Sequence, residues 1–431
     1  MLSVKNPIMT GFFPDPSICR VGNKFYTVHS TFAYFPGVPV FESEDLVHWN
    51  LISNVLDRDS QVPLSGCQHS QGIFAPTIRY HKGTWYMITT NVSDQGNFIV
   101  TAKDPRGPWS EPYYLGESTG GIDPSLFFDD DGTCYYIGQR PRSAGYRYNG
   151  DCEIWIQTLD LDTMQLKPDA TIVLTGFQRK AIWPEGPHLY KKDGYYYILH
   201  AESGTSIHHS VMIARSKNVF GPYEYCPCNP ILTHRHLGAQ YPVTCVGHAD
   251  LVDDGNGNWY MVVLACRPNQ GYTLLGRETF LAKVTWEDGW PVVNAGVGHL
   301  EEVVTLPYEG QPSDDVPQCK TYTFDTPSLP LELLTLRNHR DHELELHAEE
   351  HIVRLFHRCD SLKDCGEPAY LALRQQHWNC EFETSFIPHF CKESDCAGIA
   401  MVQSNENHLR AECYPQDSGV KLVVSLCKDG K

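Results

Sequence analysis

No run of about 18 apolar residues occurs in the 431-residue chain, so the sequence contains no candidate helical membrane span. The opening stretch Met1-Leu2-Ser3-Val4-Lys5-Asn6-Pro7 lacks the apolar core of a secretory signal, and a soluble, cytoplasmic protein is expected. Basic residues are scarce. With 34 Lys and Arg against 52 Asp and Glu, the formal charge of -18 argues against nucleic acid or an anionic membrane as partner and suits a neutral or cationic one. Zinc-type cysteine spacing is also missing: the tightest pair among 16 cysteines, Cys226 and Cys228, has no second pair beside it. Without an export signal, free thiols are expected. Long helical periodicity is absent from the first 310 residues, whereas aromatics reach 12 % and Gly and Pro are plentiful, which suits many short strands joined by turns. The length favours two domains, or one large β-fold with an appendage.

What is present is a repeat. Five segments share a short lead, a turn containing Gly, then aromatic strand residues: Val21-Gly22-Asn23-Lys24-Phe25-Tyr26, His81-Lys82-Gly83-Thr84-Trp85-Tyr86, Asp130-Asp131-Gly132-Thr133-Cys134-Tyr135-Tyr136, Lys192-Asp193-Gly194-Tyr195-Tyr196 and Asp254-Gly255-Asn256-Gly257-Asn258-Trp259-Tyr260. Each reads as a β-hairpin whose turn requires positive φ. The markers Tyr26, Tyr86, Tyr136, Tyr196 and Tyr260 recur every 50 to 64 residues, and further strand-like pairs follow, such as Val38–Phe41 with Val47–Ile52. Five such four-stranded units predict a five-bladed β-propeller. An irregular β-sandwich would match the strand count but not the period.

In a propeller the innermost strand of each blade precedes the hairpin and lines the channel. Residues ten to thirteen positions before each marker should therefore gather at one end of it. Those slots hold Asp15 in Pro14-Asp15-Pro16, Pro76, Asp123, Glu185 and His248. A lone Asp-Pro also starts turns. Three acids converging in a cleft repel one another, however, and that repulsion raises at least one pKa, as acid/base cleavage of an acetal requires. A structural cation or turn capping is the plainer use of the same acids.

The stretches Phe13-Pro14-Asp15-Pro16-Ser17, Ile122-Asp123-Pro124-Ser125-Leu126-Phe127 and Pro184-Glu185-Gly186-Pro187-His188-Leu189-Tyr190 resemble the three signature motifs of glycoside hydrolase family 43. Gly72–Pro76, Ala201–Thr205 and Leu275–Phe280 match further family stretches, and the similarity is greatest to its two-domain β-xylosidase and α-L-arabinofuranosidase branch. The resemblance implies an exo-acting, inverting hydrolase that releases xylose or arabinofuranose from neutral oligosaccharides. Asp15 would be the general base, Glu185 the general acid, and Asp123 the residue that tunes and orients Glu185. It also implies that Arg277 reaches the sugar, that Phe32 and Phe74 form its platform, that Thr205 lines the pocket, and that His248 lies beneath the sugar. A histidine at this place in related enzymes often takes part in a calcium or water cluster, so calcium near His248 is the one cofactor in view and none is required. A surface salt bridge to Glu278 is the plainer reading of Arg277, and core packing that of the two phenylalanines.

After Pro307 the repeat stops. The expected layout is a propeller over 1–308, a polar linker over 309–319 and a β-sandwich of jelly-roll type over 320–431, with strands at Leu344–His347, Trp378–Thr384 and Val420–Val424. The 114 residues after residue 317 are few for the sandwich that the resemblance implies, so a truncated sandwich without a late pocket loop is expected. Two other functions compete: a catalytically impaired carbohydrate-binding propeller, and a retaining fructosidase of similar fold, whose Asn-Asp-Pro-Asn-Gly, Arg-Asp-Pro and Glu-Cys fingerprints do not appear at the corresponding sites. A homo-oligomer is compatible with either layout.

Overall fold

All five Gly-containing turns close hairpins in the structure, a computed structural model that describes residues 1–116, 120–310, 312, 319–338 and 344–431. The pairs that flank the turns are Val21 with Lys24, His81 with Thr84, Phe128 with Cys134, Lys192 with Tyr195, and Asp253 with Trp259. Gly22, Gly83 and Gly194 adopt φ of 63°, 82° and 75°, conformations that glycine enters without steric cost.

Each hairpin belongs to an antiparallel sheet. Four of these have four strands and the third has five. The inner strands are Ser17–Val21, Thr77–His81, Ile122–Phe128, Glu185–Lys192 and Thr244–Asp253. They touch one another in a closed cycle, first to second and so on to the fifth, which returns to the first. This is a five-bladed β-propeller. Its blades bury layered apolar clusters, among them Val28, Ile78, Trp85 and Met87 between the first two and Leu199, Ile213, Val263 and Phe280 between the last two. The chain start helps to fasten the ring: Leu2–Lys5 pairs with Val303–Leu306, and the Asn6 side chain bonds both N–H and C=O of Leu281.

One carboxylate ties the channel together. Asp250, fully buried on the fifth inner strand, accepts hydrogen bonds from Ser17 Oγ at 2.9 Å, the Ile18 amide at 3.0 Å, Arg79 Nη1 at 3.1 Å and the Tyr190 hydroxyl. Arg79 Nη2 donates in turn to His188 Nδ1 at 3.1 Å, which Ser125 Oγ meets at 3.2 Å. Every blade supplies at least one member of this network. Burial alone would raise the Asp250 pKa, but Arg79 and the hydrogen bonds outweigh it and hold it down at about 2.

The C-terminal region packs on the first two blades. Thr335–Leu336 pairs with Tyr34–Phe35, and the wholly buried Arg337 donates to the carbonyls of Cys67 and Gly366 at 2.7 and 2.6 Å. Leu344–His347 pairs with Ile352–Leu355, and Ala397–Val402, His408–Gln416 and Gly419–Cys427 form a three-stranded sheet. The expected strand at 344–347 is present and Val420–Val424 lies inside the last strand. Trp378–Thr384 is not a strand: it finds no ladder partner among the described residues, and Trp378 and Phe382 are exposed despite its alternating pattern. Of the linker expected over 309–319, residues 311 and 313–318 lie outside the described residues. All sixteen cysteines are free.

Breaking one partner of a buried ion pair leaves the other charge uncompensated. Asp250→Asn should therefore destabilise the fold by about 3–5 kcal/mol, measured by urea unfolding at neutral pH. Because the folded Asp250 pKa is depressed to about 2, its contribution is complete above the unfolded aspartate value of about 3.9. The gap between wild type and variant should narrow, by up to about 2.6 kcal/mol, as pH falls from about 4 toward about 2, and a gap independent of pH would refute the assignment.

Candidate functional site

The three acids lie where their inner strands begin, on the end of the propeller that also carries the loops between the second and third strands of each blade, and His248, further along Thr244–Asp253, lies beside them. Local backbone distortion aims them. Asp15, Asp123 and His248 take φ of 53°, 55° and 52°, rare for residues with a Cβ. The strand register slips between Ile122 and Ser125, between Glu185 and His188, and around His248, so bulges turn the side chains out of the regular pleat. For Asp15 the prolines on both sides further narrow the backbone choices.

Asp15 is 6 % exposed and its two oxygens are both engaged. Ser30 Oγ donates to Oδ2 at 2.6 Å and Arg277 Nη1 to Oδ1 at 3.0 Å, while His248 Nδ1 lies 4.0 Å from Oδ1. Burial pushes its pKa up, but Arg277, His248 and the Ser30 hydrogen bond together outweigh burial and hold it below the ordinary aspartate value. Asp123 accepts from the Gly186 amide at 3.0 Å, and burial together with the Asp15 charge, partly offset by His248, raises its pKa to about 6. Glu185 keeps some surface in the cleft, yet the protein mass around it desolvates its carboxyl. That burial, then the charges of Asp123 and Asp15, raise its pKa well above the usual glutamate value. The site thus separates an ionised carboxylate from a protonated one.

Arg277 decides which carboxylate is ionised. The surface pairing with Glu278 does not form: Glu278 is fully buried and takes two bonds from Arg267, at 2.7 and 2.8 Å, and one from the Gly11 amide. Arg277 is left to face Asp15, with its guanidinium carbon 5.1 Å from the Phe32 ring centre and 5.6 Å from that of Phe12. Phe32 stacks on Phe12 and meets Phe74 edge-on at 5.4 Å, so the two phenylalanines named from sequence do adjoin each other and the guanidinium. Phe12 was not singled out by sequence reasoning, although it lies three residues before Asp15.

His248 packs against the start of the fourth blade. A Cβ on Gly186 would come within 2.9 Å of its ring, so glycine is required there for the close approach. Beside it, His209 is fully buried, faces the Cys245 carbonyl through Nδ1 at 3.0 Å, and has its pKa lowered to about 3 by burial. No motif marked it in the sequence. Thr205 lies exposed in the loop after Glu202, one residue beyond Gly204, against which the Trp183 indole packs.

Calcium takes six to eight oxygen ligands. Among the described residues no group of three or more His, Cys, Asp or Glu side chains is arranged to hold a metal ion.

Comparison with known proteins follows the same lines. The family model for glycosyl hydrolases family 43 matches residues 4–291, and that for the beta xylosidase C-terminal concanavalin A-like domain matches residues 321–431. A xylosidase/arabinosidase of Butyrivibrio fibrisolvens is 55% identical over 413 residues, covering 95% of this chain and 79% of its own. A non-reducing end alpha-L-arabinofuranosidase of Bacteroides ovatus is 40% identical over 418 residues, covering 94% and 74%. Among solved structures, the xylan beta-1,4-xylosidase of Bacillus halodurans superposes with a TM-score of 0.87 at 35% identity, covering 99% of this chain and 82% of that one. With a propeller, three convergent acids and these relatives, the chain belongs to glycosyl hydrolases family 43 and is a glycoside hydrolase with a C-terminal β-sandwich domain.

Proposed function

We propose that this enzyme removes xylose or arabinofuranose, one unit at a time, from the non-reducing ends of neutral oligosaccharides, with inversion at the anomeric carbon. The observation that carries the reading is the division of charge within the acid cluster: Arg277 holds Asp15 ionised while burial and two neighbouring carboxylates keep Glu185 protonated. Relatives named xylosidase/arabinosidase, alpha-L-arabinofuranosidase and beta-xylosidase support both pentoses. The net charge of -18 accords with an uncharged substrate.

The chemistry needs only the chain's own residues. Glu185 gives its proton to the glycosidic oxygen as the bond from that oxygen to the anomeric carbon breaks. Asp15 takes a proton from a water that attacks the same carbon from the opposite face, which yields the inverted hemiacetal. Asp123 receives the Gly186 amide and so fixes the peptide that follows Glu185, while its negative charge keeps Glu185 protonated at a higher pH. Arg277 both lowers the Asp15 pKa and presents its remaining N–H groups to sugar hydroxyls between the rings of Phe12 and Phe32. Phe74 completes that apolar wall, on which the C–H face of a pentose packs.

Hydrolysis of p-nitrophenyl β-D-xyloside and p-nitrophenyl α-L-arabinofuranoside tests the roles. Glu185→Ala and Asp15→Ala should each lower kcat/KM by about 10²–10⁴-fold, and near-wild-type turnover in either variant would overturn its assignment. Proton NMR of the first-formed anomer should show inversion; retention would point to a covalent intermediate instead. The pH profile of kcat/KM should be bell-shaped, its acid limb set by Asp15 and its alkaline limb by Glu185. Replacing Asp123 with Asn removes a like charge that raises the Glu185 pKa, so the alkaline limb should move to lower pH. An alkaline limb that stays in place would disconnect Asp123 from the ionisation of Glu185.

A further inference from the structure

We propose that the exposed face of Trp183 is the platform on which the leaving sugar stacks, so that this indole selects substrates whose leaving group is itself a pyranose. The proposal rests on the glycosidase reading above and names a determinant which that reading does not contain. Trp183 is 40 % exposed, whereas Phe12 is half-buried and Phe32 is only 6 % exposed. It precedes Glu185 by two residues, which limits the separation of their Cα atoms to about 7 Å. Its backbone sits at φ 48°, a conformation a tryptophan rarely adopts unless its surroundings hold it there.

Those surroundings are specific. The Trp183 amide donates to the Gly150 carbonyl at 2.8 Å, the Ser203 amide donates to the Ile182 carbonyl at 2.8 Å, and the Tyr148 hydroxyl to the Ala181 carbonyl at 2.9 Å. Three loops, 142–151, 176–184 and 203–209, are thereby joined around the indole. Two glycines give it room. A Cβ on Gly204 would lie 2.8 Å from Cε3 of the ring, and one on Gly150 would lie 3.1 Å from Nε1. The indole is seated on bare backbone, which fixes its orientation and leaves another part of its surface open.

The placement has a chemical meaning. The proton donor must contact the leaving oxygen, so groups that flank Glu185 on the open side meet the leaving group. The pentose being cleaved has its own wall of Phe12, Phe32, Phe74 and Arg277 around Asp15. A flat indole beside the acid offers a pyranose C–H face the packing it favours and offers nothing to a small leaving group.

Two substrates with one glycone separate this from a merely structural tryptophan. Kinetics on xylobiose and on methyl β-D-xyloside compare a sugar leaving group with a methoxide that needs the same proton from Glu185 but cannot stack. If the wild type prefers arabinofuranosides, arabinofuranosyl-xylobiose and methyl α-L-arabinofuranoside serve. Trp183→Ala should lower kcat/KM about tenfold on the oligosaccharide while the methyl glycoside stays within about twofold, and Trp183→Phe should recover most of the loss. Equal losses on both substrates would mean that the indole only supports the Glu185 loop, and unchanged kinetics would mean that it touches no substrate; either result overturns the proposal. A wild type that hydrolyses neither pair refutes the glycosidase reading itself, and this is seen before any variant is compared.

Discussion

The Asp250–Arg79 pair at the centre of the channel is the contact on which the remainder of the architecture depends. A propeller has no single core: each blade packs on two neighbours, and errors in their angle accumulate around the ring. Here a carboxylate from the last blade, a guanidinium from the second, hydroxyls from the first and third, and an imidazole from the fourth meet at one place. Charges in a low-dielectric channel are costly unless fully partnered, so the network tolerates little displacement of any inner strand. The acids stand a few residues upstream on those same strands, and the network therefore also sets their mutual positions.

The catalytic end uses the opposite condition, incomplete compensation. Three carboxylates share the site, but the adjacent cation, Arg277, touches one of them. Asp15 is ionised by that contact and by its serine partner, and its charge then acts on Asp123 and Glu185 in the direction burial already favours. Which carboxylate is ionised follows from the cation and hydroxyl placed beside it rather than from residue type. The left-handed backbone at Asp15, Asp123 and His248 costs of order 1–3 kcal/mol at each position, and it persists because bulges, prolines and hydrogen bonds over-determine each of them.

The C-terminal region participates in that arrangement from behind. Arg374 stacks over the Phe13 ring at 4.9 Å, and the Gln375 carbonyl lies where a Cβ on Gly11 would need to be, at 2.7 Å. The loop that carries Asp15 is thus clamped between the blades and the irregular segment around Arg374 and Gln375. Removal of the C-terminal region would uncover the back of the Asp15 loop as well as a sheet edge.

Much of this was legible in the chain itself. A Gly turn followed by aromatics, repeated five times, specified the hairpins because turn geometry and strand alternation are local properties, and the register of those hairpins pointed to Asp15, Asp123, Glu185 and His248. The extended strand expected at Trp378–Thr384 was misread because alternation shows only what a strand could bury, and no partner strand lies against it among the described residues. Other features had no local signal. Arg277 and Glu278 are adjacent in sequence yet face different partners, His209 has no motif, and Trp183 gains its setting from glycines in two other loops. The sequence by itself determined which residue types stand at the ends of five strands. Only the tertiary structure decided which carboxylate is charged, because that depends on the distance to a guanidinium more than 250 residues away along the chain.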